Sequence, residues 1–275
     1  MATKIIIAAH KQYRMPEDPL YLPVQVGAAC NKDENGNPID LGFARDDGGE
    51  NISAKNPHFC ELTGLYWAWK NLEADHLGLS HYRRYFGSLQ PKKTKDLYEN
   101  VLKKEEAEEL FRTYRVLVPK KRNYYIETLY SHYAHTHYAE HLDETRRIIA
   151  EACPEYLGAF DRVMKQRSGH MFNMCVMERD LMDSYCSWVF DILFRLEAAP
   201  KGEEAELSFY QGRFYGRVSE IIFNVWLQYQ LETGVLKESD ICELPCLYTE
   251  KVNWLKKGTA FLSAKFLHKR YENSF

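Results

Sequence analysis

The 275-residue chain lacks the short strings that mark several large enzyme classes. It contains no G-x-x-x-x-G-K-[ST], no G-x-G-x-x-G and no G-x-S-x-G, which argues against P-loop nucleotidases, Rossmann dehydrogenases and α/β-hydrolases. It has no run of about 18 apolar residues, so no transmembrane helix is predicted. The apolar start Lys4–Ala9 is too short for a signal peptide and is typical of a first strand. We therefore expect a cytoplasmic protein.

The cysteine pattern and the net charge argue against two further kinds of protein, those with a cysteine zinc site and those that bind nucleic acid. The seven cysteines are scattered and odd in number, and no C-x-x-C occurs. Without an export signal we expect reduced thiols and no cysteine zinc site. A net charge of -3, with 27% charged residues, is not the basic signature of a nucleic-acid-binding protein. No nucleic-acid partner is predicted.

One string matches a metal-binding motif, and two interpretations of it stay open. His137-Tyr-Ala-Glu-His141 fits the H-x-x-E-H pattern of a class of zinc peptidases. We predict a single long helix over 126–152, on which His137 and His141 would share a face. Because His132 and His135 lie just upstream, histidine is simply frequent here. An ordinary helix surface is favoured over a metallohydrolase site.

Apolar runs and helical patterns alternate along the chain, which predicts an α/β fold with a mostly parallel sheet flanked by helices. The predicted strands are Lys4–Ala9, 76–80, Val116–Pro119 and Met171–Val176, and the predicted helices are Phe59–Asn71, Leu97–Tyr114, 126–152, Leu181–Leu196 and Ser219–Thr233.

A cluster of cationic and aromatic residues follows the strand at 76–80. The apolar run ends in His81, Tyr82, Arg83 and Arg84. In an open α/β sheet, ligands bind beyond the carboxyl ends of the strands. Two arginines there suit an anionic ligand, because guanidinium is permanently charged and offers paired donors to phosphate. The alternative is a strand end with two solvated arginines.

Several strings resemble the bacterial DUF4422 family, whose members are described as capsular or exopolysaccharide biosynthesis glycosyltransferases. They are Glu50-Asn-Ile-Ser-Ala-Lys-Asn56, Glu61-Leu-Thr-Gly-Leu-Tyr-Trp-Ala-Trp-Lys-Asn71, Gly78-Leu-Ser-His-Tyr-Arg-Arg-Tyr-Phe86, Gly169-His-Met-Phe-Asn-Met-Cys-Val-Met177, Gly212–Trp226 and Leu244–Trp254. The resemblance implies a GT-A-like (Rossmann-like) glycosyltransferase domain over residues 1–250, which binds a nucleotide-sugar over the strand ends. Residues 251–275 are then a separate basic amphipathic segment.

The resemblance also implies a reaction. The expected enzyme moves a hexose, such as galactose or galactofuranose, from a UDP-sugar to a glycan or lipid-linked acceptor in surface polysaccharide biosynthesis. GT-A enzymes usually carry a D-x-D string that holds a divalent metal, and this chain has none. The alternative is therefore a non-catalytic protein that binds a nucleotide-sugar or carbohydrate within a glycan-assembly complex.

The place where D-x-D would stand holds His81, Arg83 and Arg84 instead. Cationic side chains can neutralise the charge that develops on a leaving diphosphate, which is otherwise a metal's role. We therefore predict a metal-independent reaction with no cofactor, in which both arginines hold the diphosphate and His81 joins the catalytic set.

The remaining candidate residues rest on the same resemblance. His10, Lys11, Asn51 and Asn56 are expected to contact the nucleotide, and Asn173 a sugar; Glu220 is the first choice for the catalytic base, with Asp46 and Asp47 in reserve. Attack by an acceptor hydroxyl with inversion needs such a carboxylate. Two alternatives stay open: Asn173 is satisfied inside a buried strand, and Glu220 only complements the dipole of a first helical turn.

The C-terminal tail has a composition of its own. Residues 251–271 contain six Lys or Arg residues and no Asp or Glu, interleaved with Trp254, Phe261 and Phe266. Such a segment either lies on an anionic membrane surface, as a peripheral contact, or packs its apolar face on the domain as a C-terminal helix.

Overall fold

The computed structural model describes residues 2–199 and 211–250. Within these residues the chain forms two compact units. The first unit comprises residues 2–120, 172–186 and 237–250, and the second comprises 121–171, 187–199 and 211–236. The tail 251–275 lies outside the described residues, so the predicted boundary at residue 250 remains a prediction.

The first unit contains the main sheet and the shorter helices. Its strands are β1 (Thr3–Ala9), β2 (Tyr21–Gln25), β3 (Ala44–Arg45), β4 (His76–His81), β5 (Arg84–Phe86), β6 (Val116–Pro119), β9 (Cys175–Glu178), β10 (Ile241–Leu244) and β11 (Cys246–Tyr248), and its helices are α1 (Asn56–Phe59), α2 (Leu62–Asn71) and α3 (Lys104–Leu110). The second unit contains β7 (Arg122–Asn123), β8 (Ser168–Gly169), α4 (Leu129–Thr136), α5 (Glu140–Ala152), α6 (Leu157–Val163) and α8 (Phe214–Thr233). Helix α7 (Arg179–Ala198) begins in the first unit and ends in the second.

The main sheet has the strand order β10-β6-β9-β4-β1-β2-β3. β3, β2, β1 and β4 run parallel, as do β6 and β10, while β9 is antiparallel to both β4 and β6. Ile5, Ile6 and Ile7 of β1 are all buried, as expected for a strand covered on both faces. The predicted α/β fold, with a mostly parallel sheet flanked by helices, is confirmed.

Glycine at position 78 lets β4 and β9 approach each other closely. A Cβ atom there would lie 2.6 Å from the carbonyl oxygen of Cys175, which belongs to the backbone of β9. Backbone cannot give way as a flexible side chain can, so a larger residue would disturb the pairing of β4 with β9.

Three predicted elements are wrong in their extent. The helix expected over Leu97–Tyr114 is a short 3-10 turn at Leu97–Asn100 followed by α3. Val101 and Lys103 between them are extended, and the amide of Leu102 donates to the carbonyl of Phe86. The helix expected to begin at Ser219 begins at Phe214. The strand expected over Met171–Val176 begins only at Cys175.

The helix predicted over 126–152 is also wrong, since it is two helices. α4 ends at Thr136 and α5 begins at Glu140. His137 has a non-helical backbone (φ -135°, ψ -150°) at the end of α4. His137 and His141 therefore do not share the face of one continuous helix.

The helices of the second unit bury a large apolar core. Trp226, Ile149, Phe160 and Val163 are all nearly or fully buried. α8 ends at Thr233 and is followed by Gly234, whose left-handed backbone (φ 77°) is the usual C-terminal stop. None of the helices in the described part of the chain is both long and apolar enough to cross a membrane.

Candidate functional site

One edge of the first unit's sheet brings together several of the residues singled out from the sequence. β1 ends at Ala9, so His10 and Lys11 follow it, and the parallel β4 ends at His81. β9 runs the opposite way, with Cys175 opposite Leu79. Residues just before β9 therefore lie at the same edge as residues just after β4.

Arg84 is held by aromatic rings rather than by a carboxylate. Its Cζ atom lies 4.4 Å from the ring centre of Phe172 and 5.9 Å from that of Tyr248. Its Nε atom is buried and has no hydrogen-bond partner among the described residues. Aromatic faces attract a guanidinium without neutralising it. Arg84 is thus a positioned cation whose charge is not paired.

Arg83 is placed more loosely. Its Nη1 atom lies 3.4 Å from a carboxylate oxygen of Glu250, and the two side chains are 32% and 60% exposed. Its Cζ atom lies 5.1 Å from the ring centre of Tyr82. Exposed ion pairs of this kind contribute about 0–1 kcal/mol. An incoming anion could therefore replace Glu250 at little cost.

Three rings form an aromatic cluster beside these arginines. Tyr13 stacks on Tyr82 with ring centres 3.9 Å apart, and His10 meets Tyr82 edge-on at 5.0 Å. Burial raises the pKa of Tyr82 to about 12, so its hydroxyl stays protonated. Sequence reasoning missed Tyr13. Its position shortly after the end of β1 was the available signal.

Two residues shortly before β9 adopt a strained backbone. Phe172 and Asn173 have φ values of 74° and 53°, a region that costs a non-glycine residue on the order of 1–3 kcal/mol. This turn aims the carbonyl of Phe172 at His81, whose Nε2 donates to it at 2.6 Å. It also lets Asn173 Nδ2 donate to Glu61 Oε1 at 2.7 Å.

These contacts define what His81 does in the structure. Burial lowers its pKa, so the ring is neutral near pH 7, and its Nε2 proton is held by the Phe172 carbonyl. His81 therefore positions the strained turn and Asn173. A catalytic role for His81 stays a prediction. Glu61 was missed because it lies inside the helix predicted over Phe59–Asn71, and its string was used only for the family resemblance.

Asp46 organises a loop. Its carboxylate is fully buried and accepts from the amides of Gly27 (2.8 Å) and Ala28 (3.0 Å), and from the hydroxyls of Ser53 (2.5 Å) and Thr63 (2.6 Å). A carboxylate with four donors has no free lone pair for a substrate proton. As a reserve base Asp46 is therefore unsuited.

The other reserve base and the two loop asparagines are also engaged. Arg45 donates two hydrogen bonds to Asp47, which lowers the pKa of that carboxyl. Asn51 Nδ2 donates to the carbonyls of Asp47 and Gly49, while Asn56 Nδ2 donates to the carbonyl of Cys60. Both asparagines shape the loop, and their contact with a nucleotide stays a prediction.

Glu220 belongs to the second unit, and its position in its helix differs from the expected one. Because α8 begins at Phe214, Glu220 lies in the second turn and not the first. The interpretation of Glu220 as a residue that complements a helix dipole is therefore wrong, since that effect falls off within the first turn. Its side chain is half-buried. A role as base stays a prediction.

The histidines of the H-x-x-E-H string have protein partners. His137 Nδ1 lies 3.0 Å from Gln211 Oε1, and burial lowers the pKa of His137 to about 3. His141 Nδ1 lies 2.9 Å from the hydroxyl of Tyr133. No group of three or more His, Cys, Asp or Glu side chains in residues 2–199 and 211–250 is arranged to hold a metal ion. The zinc interpretation has no ligand set there.

Known proteins share the fold and the sequence pattern of this chain. The sequence profile of DUF4422, described as a domain of unknown function, matches residues 4–231. The chain therefore belongs to the DUF4422 family. No curated protein matches it. Among solved structures it is similar to WbbM, described as a bifunctional glycosyltransferase in its apo form, with a TM-score of 0.81 and 28% identity. The match covers 91% of this chain but only 46% of WbbM, so the chain spans less than half of that protein.

Proposed function

We propose that this DUF4422 protein is a glycosyltransferase that binds a UDP-sugar at the carboxyl edge of the first unit's sheet. The observation that carries the proposal is Arg84, an unpaired guanidinium held by two aromatic rings just beyond a central strand. Such a cation suits a diphosphate. The likeness to WbbM, whose name states a glycosyltransferase, supports the same class.

Different residues would bind the diphosphate, the uracil ring and the sugar of the donor. Arg84 and Arg83 would bind the diphosphate, with the phosphate taking the place of Glu250 beside Arg83. The stacked pair Tyr13 and Tyr82 offers a flat surface for the uracil ring. Exposed Lys11 at the end of β1 would add a second cation for the phosphates, and His10 would contact the nucleotide from the same strand end.

The remaining candidate residues would bind the donor sugar and activate the acceptor. Asn173 would contact the hexose, galactose or galactofuranose, with its amide fixed by Glu61. The acceptor would be a glycan or lipid-linked sugar in surface polysaccharide biosynthesis. Glu220 would take the proton of its attacking hydroxyl. Work on such an acceptor fits a cytoplasmic location, with the tail 251–275 in peripheral contact with the membrane.

The proposed reaction needs no metal ion. Arg83 and Arg84 would neutralise the charge that develops on the departing UDP, because they stand at the strand end before the donor binds. Preorganised cations need no rearrangement during the reaction, which is what makes them effective substitutes for a metal.

A second candidate is a non-catalytic nucleotide-sugar-binding protein of a glycan-assembly complex. It is favoured by one observation in the first unit. The carboxylates of Asp46, Asp47 and Glu61 all accept hydrogen bonds from neighbouring side chains. A base for the acceptor would then have to come from elsewhere, as Glu220 does in the first proposal.

The test is a binding screen followed by a transfer assay. The full chain is titrated calorimetrically with UDP, UDP-galactose, UDP-galactofuranose and other UDP-sugars, and transfer is then measured with glycan and lipid-linked acceptors. The transferase proposal expects turnover that falls about 100-fold or more in Glu220→Gln with donor affinity nearly unchanged. Binding without turnover over all acceptors would favour the second candidate. No binding of any nucleotide-sugar would contradict both.

A further inference from the structure

The second unit presents an exposed aromatic and aliphatic pair at the tip of a turn. Tyr125 is 74% exposed and its neighbour Ile126 is 56% exposed. The other large hydrophobic side chains that are exposed in the described residues, Leu89 and Val235, have no exposed apolar neighbour in sequence. Single exposed apolar residues are ordinary, whereas an adjacent pair at a turn tip needs an explanation.

The turn is rigid and strained. Tyr125 has a left-handed backbone (φ 54°), which is unfavourable for an aromatic residue. The Tyr125 amide donates to Asn123 Oδ1 at 2.7 Å, and Arg167 Nη1 donates to the Tyr125 carbonyl at 3.3 Å. The amide of Ile126 donates to the carbonyl of Tyr124 at 2.7 Å. The fold thus keeps two apolar side chains in solvent even though the backbone conformation that holds them there is unfavourable.

The base of the turn is anchored in the second unit. Tyr124 is buried, with its ring centre 4.2 Å from that of His132. Glu127 is only 2% exposed, and its carboxylate lies 2.9 Å from His132 Nδ1 and 2.5 Å from His135 Nδ1. The acidic residue of the turn is therefore directed inward, onto two imidazoles, and contributes no negative charge to the outer surface of the turn.

The chain segments beside the tip are basic. β7 carries Arg122, with exposed Lys121 before it, and pairs with β8, which is preceded by the exposed residues Lys165 and Arg167. The amide of Tyr124 donates to the carbonyl of Arg167 at 2.8 Å, which joins the two segments at the tip. Neither 121–126 nor 164–170 contains an aspartate or glutamate.

We infer that this tip, residues 124–127 with the flanking cations Lys121, Arg122, Lys165 and Arg167, docks on the surface of an anionic lipid bilayer. Tyr125 and Ile126 enter the interfacial region, where tyrosine is favoured, and the four cations face the lipid phosphates. The fit is one of charge and polarity together, because an apolar tip surrounded by cations matches an anionic interface. The inference stands independently of the proposed reaction.

The experiment measures how the full chain partitions onto vesicles. Flotation is carried out with vesicles of phosphatidylglycerol and phosphatidylethanolamine, and with vesicles of phosphatidylcholine alone. We expect the wild type to float with the anionic vesicles only. Tyr125→Ser combined with Ile126→Ser should reduce that partition about fivefold or more, and Lys121→Glu combined with Lys165→Glu should reduce it similarly. Leu89→Ser and Val235→Ser are matched controls and should change it by less than about twofold.

A second readout separates the tip from the basic tail. Ile126→Trp places an indole at the tip, and its emission should shift to shorter wavelength with anionic vesicles, after subtraction of the wild-type spectrum. Partition that survives the double serine change, with no such shift, would assign binding to the tail and overturn the inference. Equal flotation with phosphatidylcholine would also overturn it. So would self-association that the double serine change abolishes while vesicle binding is absent, because the tip would then contact a second copy of the chain.

Discussion

The arginines at the strand end of the first unit and the histidines of the second unit serve opposite purposes. In the first unit the cations Arg83 and Arg84 stand at a strand end beside aromatic rings. In the second unit His132, His137 and His141 are largely buried, and the Nδ1 atom of each lies within 3.0 Å of a side-chain oxygen. The first arrangement leaves charge available to a ligand, while the second uses its polar groups to hold helices together.

The difference shows that the position of a residue in the sheet topology predicts a binding site better than a match to a short sequence motif does. H-x-x-E-H looked like a ligand set because a continuous helix would have aligned its two histidines. The helix is interrupted between Thr136 and Glu140, so the two histidines are not aligned on one helical face. The residues after β4 have no comparable motif, yet parallel strands bring them to the edge where α/β sheets bind ligands.

The largest effect expected from this comparison concerns the pH dependence of stability. Burial lowers the pKa of His132 to about 4 and that of His137 to about 3. The unfolded chain binds these two protons near pH 6.5, before the folded chain does, so stability falls as pH falls below that value. Each site should lose about 2 kcal/mol by about pH 5, which urea unfolding between about pH 7 and pH 5 would measure.

The control separates buried from exposed histidines. His137→Gln removes one titrating group and should reduce the pH-dependent loss between about pH 7 and pH 5 by about 2 kcal/mol. His10→Gln, at the exposed strand end of the first unit, should leave it unchanged. An identical pH slope in all three proteins would mean that the histidines of the second unit are not held neutral by burial.

The next effect compares two neighbouring carboxylates of the first unit. Asp46→Asn removes the charge from a buried group that accepts four hydrogen bonds, and should cost about 3 kcal/mol of unfolding free energy. Asp47→Asn breaks only a partly exposed pair with Arg45 and should cost less than about 1 kcal/mol. Denaturant unfolding of both variants provides the measurement. Equal losses would contradict the assignment of Asp46 as the residue that organises the loop.

Much of the sheet was predictable from the sequence, because buried parallel strands are nearly continuous apolar runs. β1, β4 and β6 were expected close to their observed limits. The breaks were not predictable, because they depend on distant partners. The chain is extended at Val101 and Lys103, where the amide of Leu102 donates to the carbonyl of Phe86. Phe172 and Asn173 adopt positive φ values that could not be predicted from their residue types.

The candidate site was predictable only in its outline. Arg83 and Arg84 followed from their place after an apolar run. Tyr13 and Glu61 did not, because Tyr13 acts through a ring stacked on Tyr82 and Glu61 through an amide on another strand's turn. Such pairings join residues about 70 and 110 positions apart, and no local pattern encodes contacts of that range.

A third and smaller effect compares the two arginines. Arg84→Ala should weaken UDP-sugar binding about 100-fold and Arg83→Ala about tenfold, because a charge-assisted contact is worth about 1.5–3 kcal/mol and Arg83 must first leave Glu250. Calorimetric titration with UDP and the productive UDP-sugar gives both affinities. Arg112→Ala, which removes an exposed cation paired with Glu109 on α3, is the matched control. Wild-type affinity in both arginine variants would refute the diphosphate assignment.

The smallest expected effect is that of metal removal, where the comparison predicts almost no change. The carboxylates near the cationic edge of the first unit already have partners. Asp46 accepts four donors, Asp47 is bound by Arg45, and Glu61 accepts from Asn173. Glu250 lies 3.4 Å from Arg83. A divalent ion would have to displace these donors and approach Arg84, which repels it. Transfer measured after EDTA treatment and dialysis should therefore stay within about twofold of the untreated rate. A glycosyltransferase that uses D-x-D, inactivated by the same treatment, controls for complete chelation. Loss of transfer that Mn²⁺ restores would mean that one of these carboxylates, or another in the chain, binds a metal, and that the arginines alone do not neutralise the leaving group.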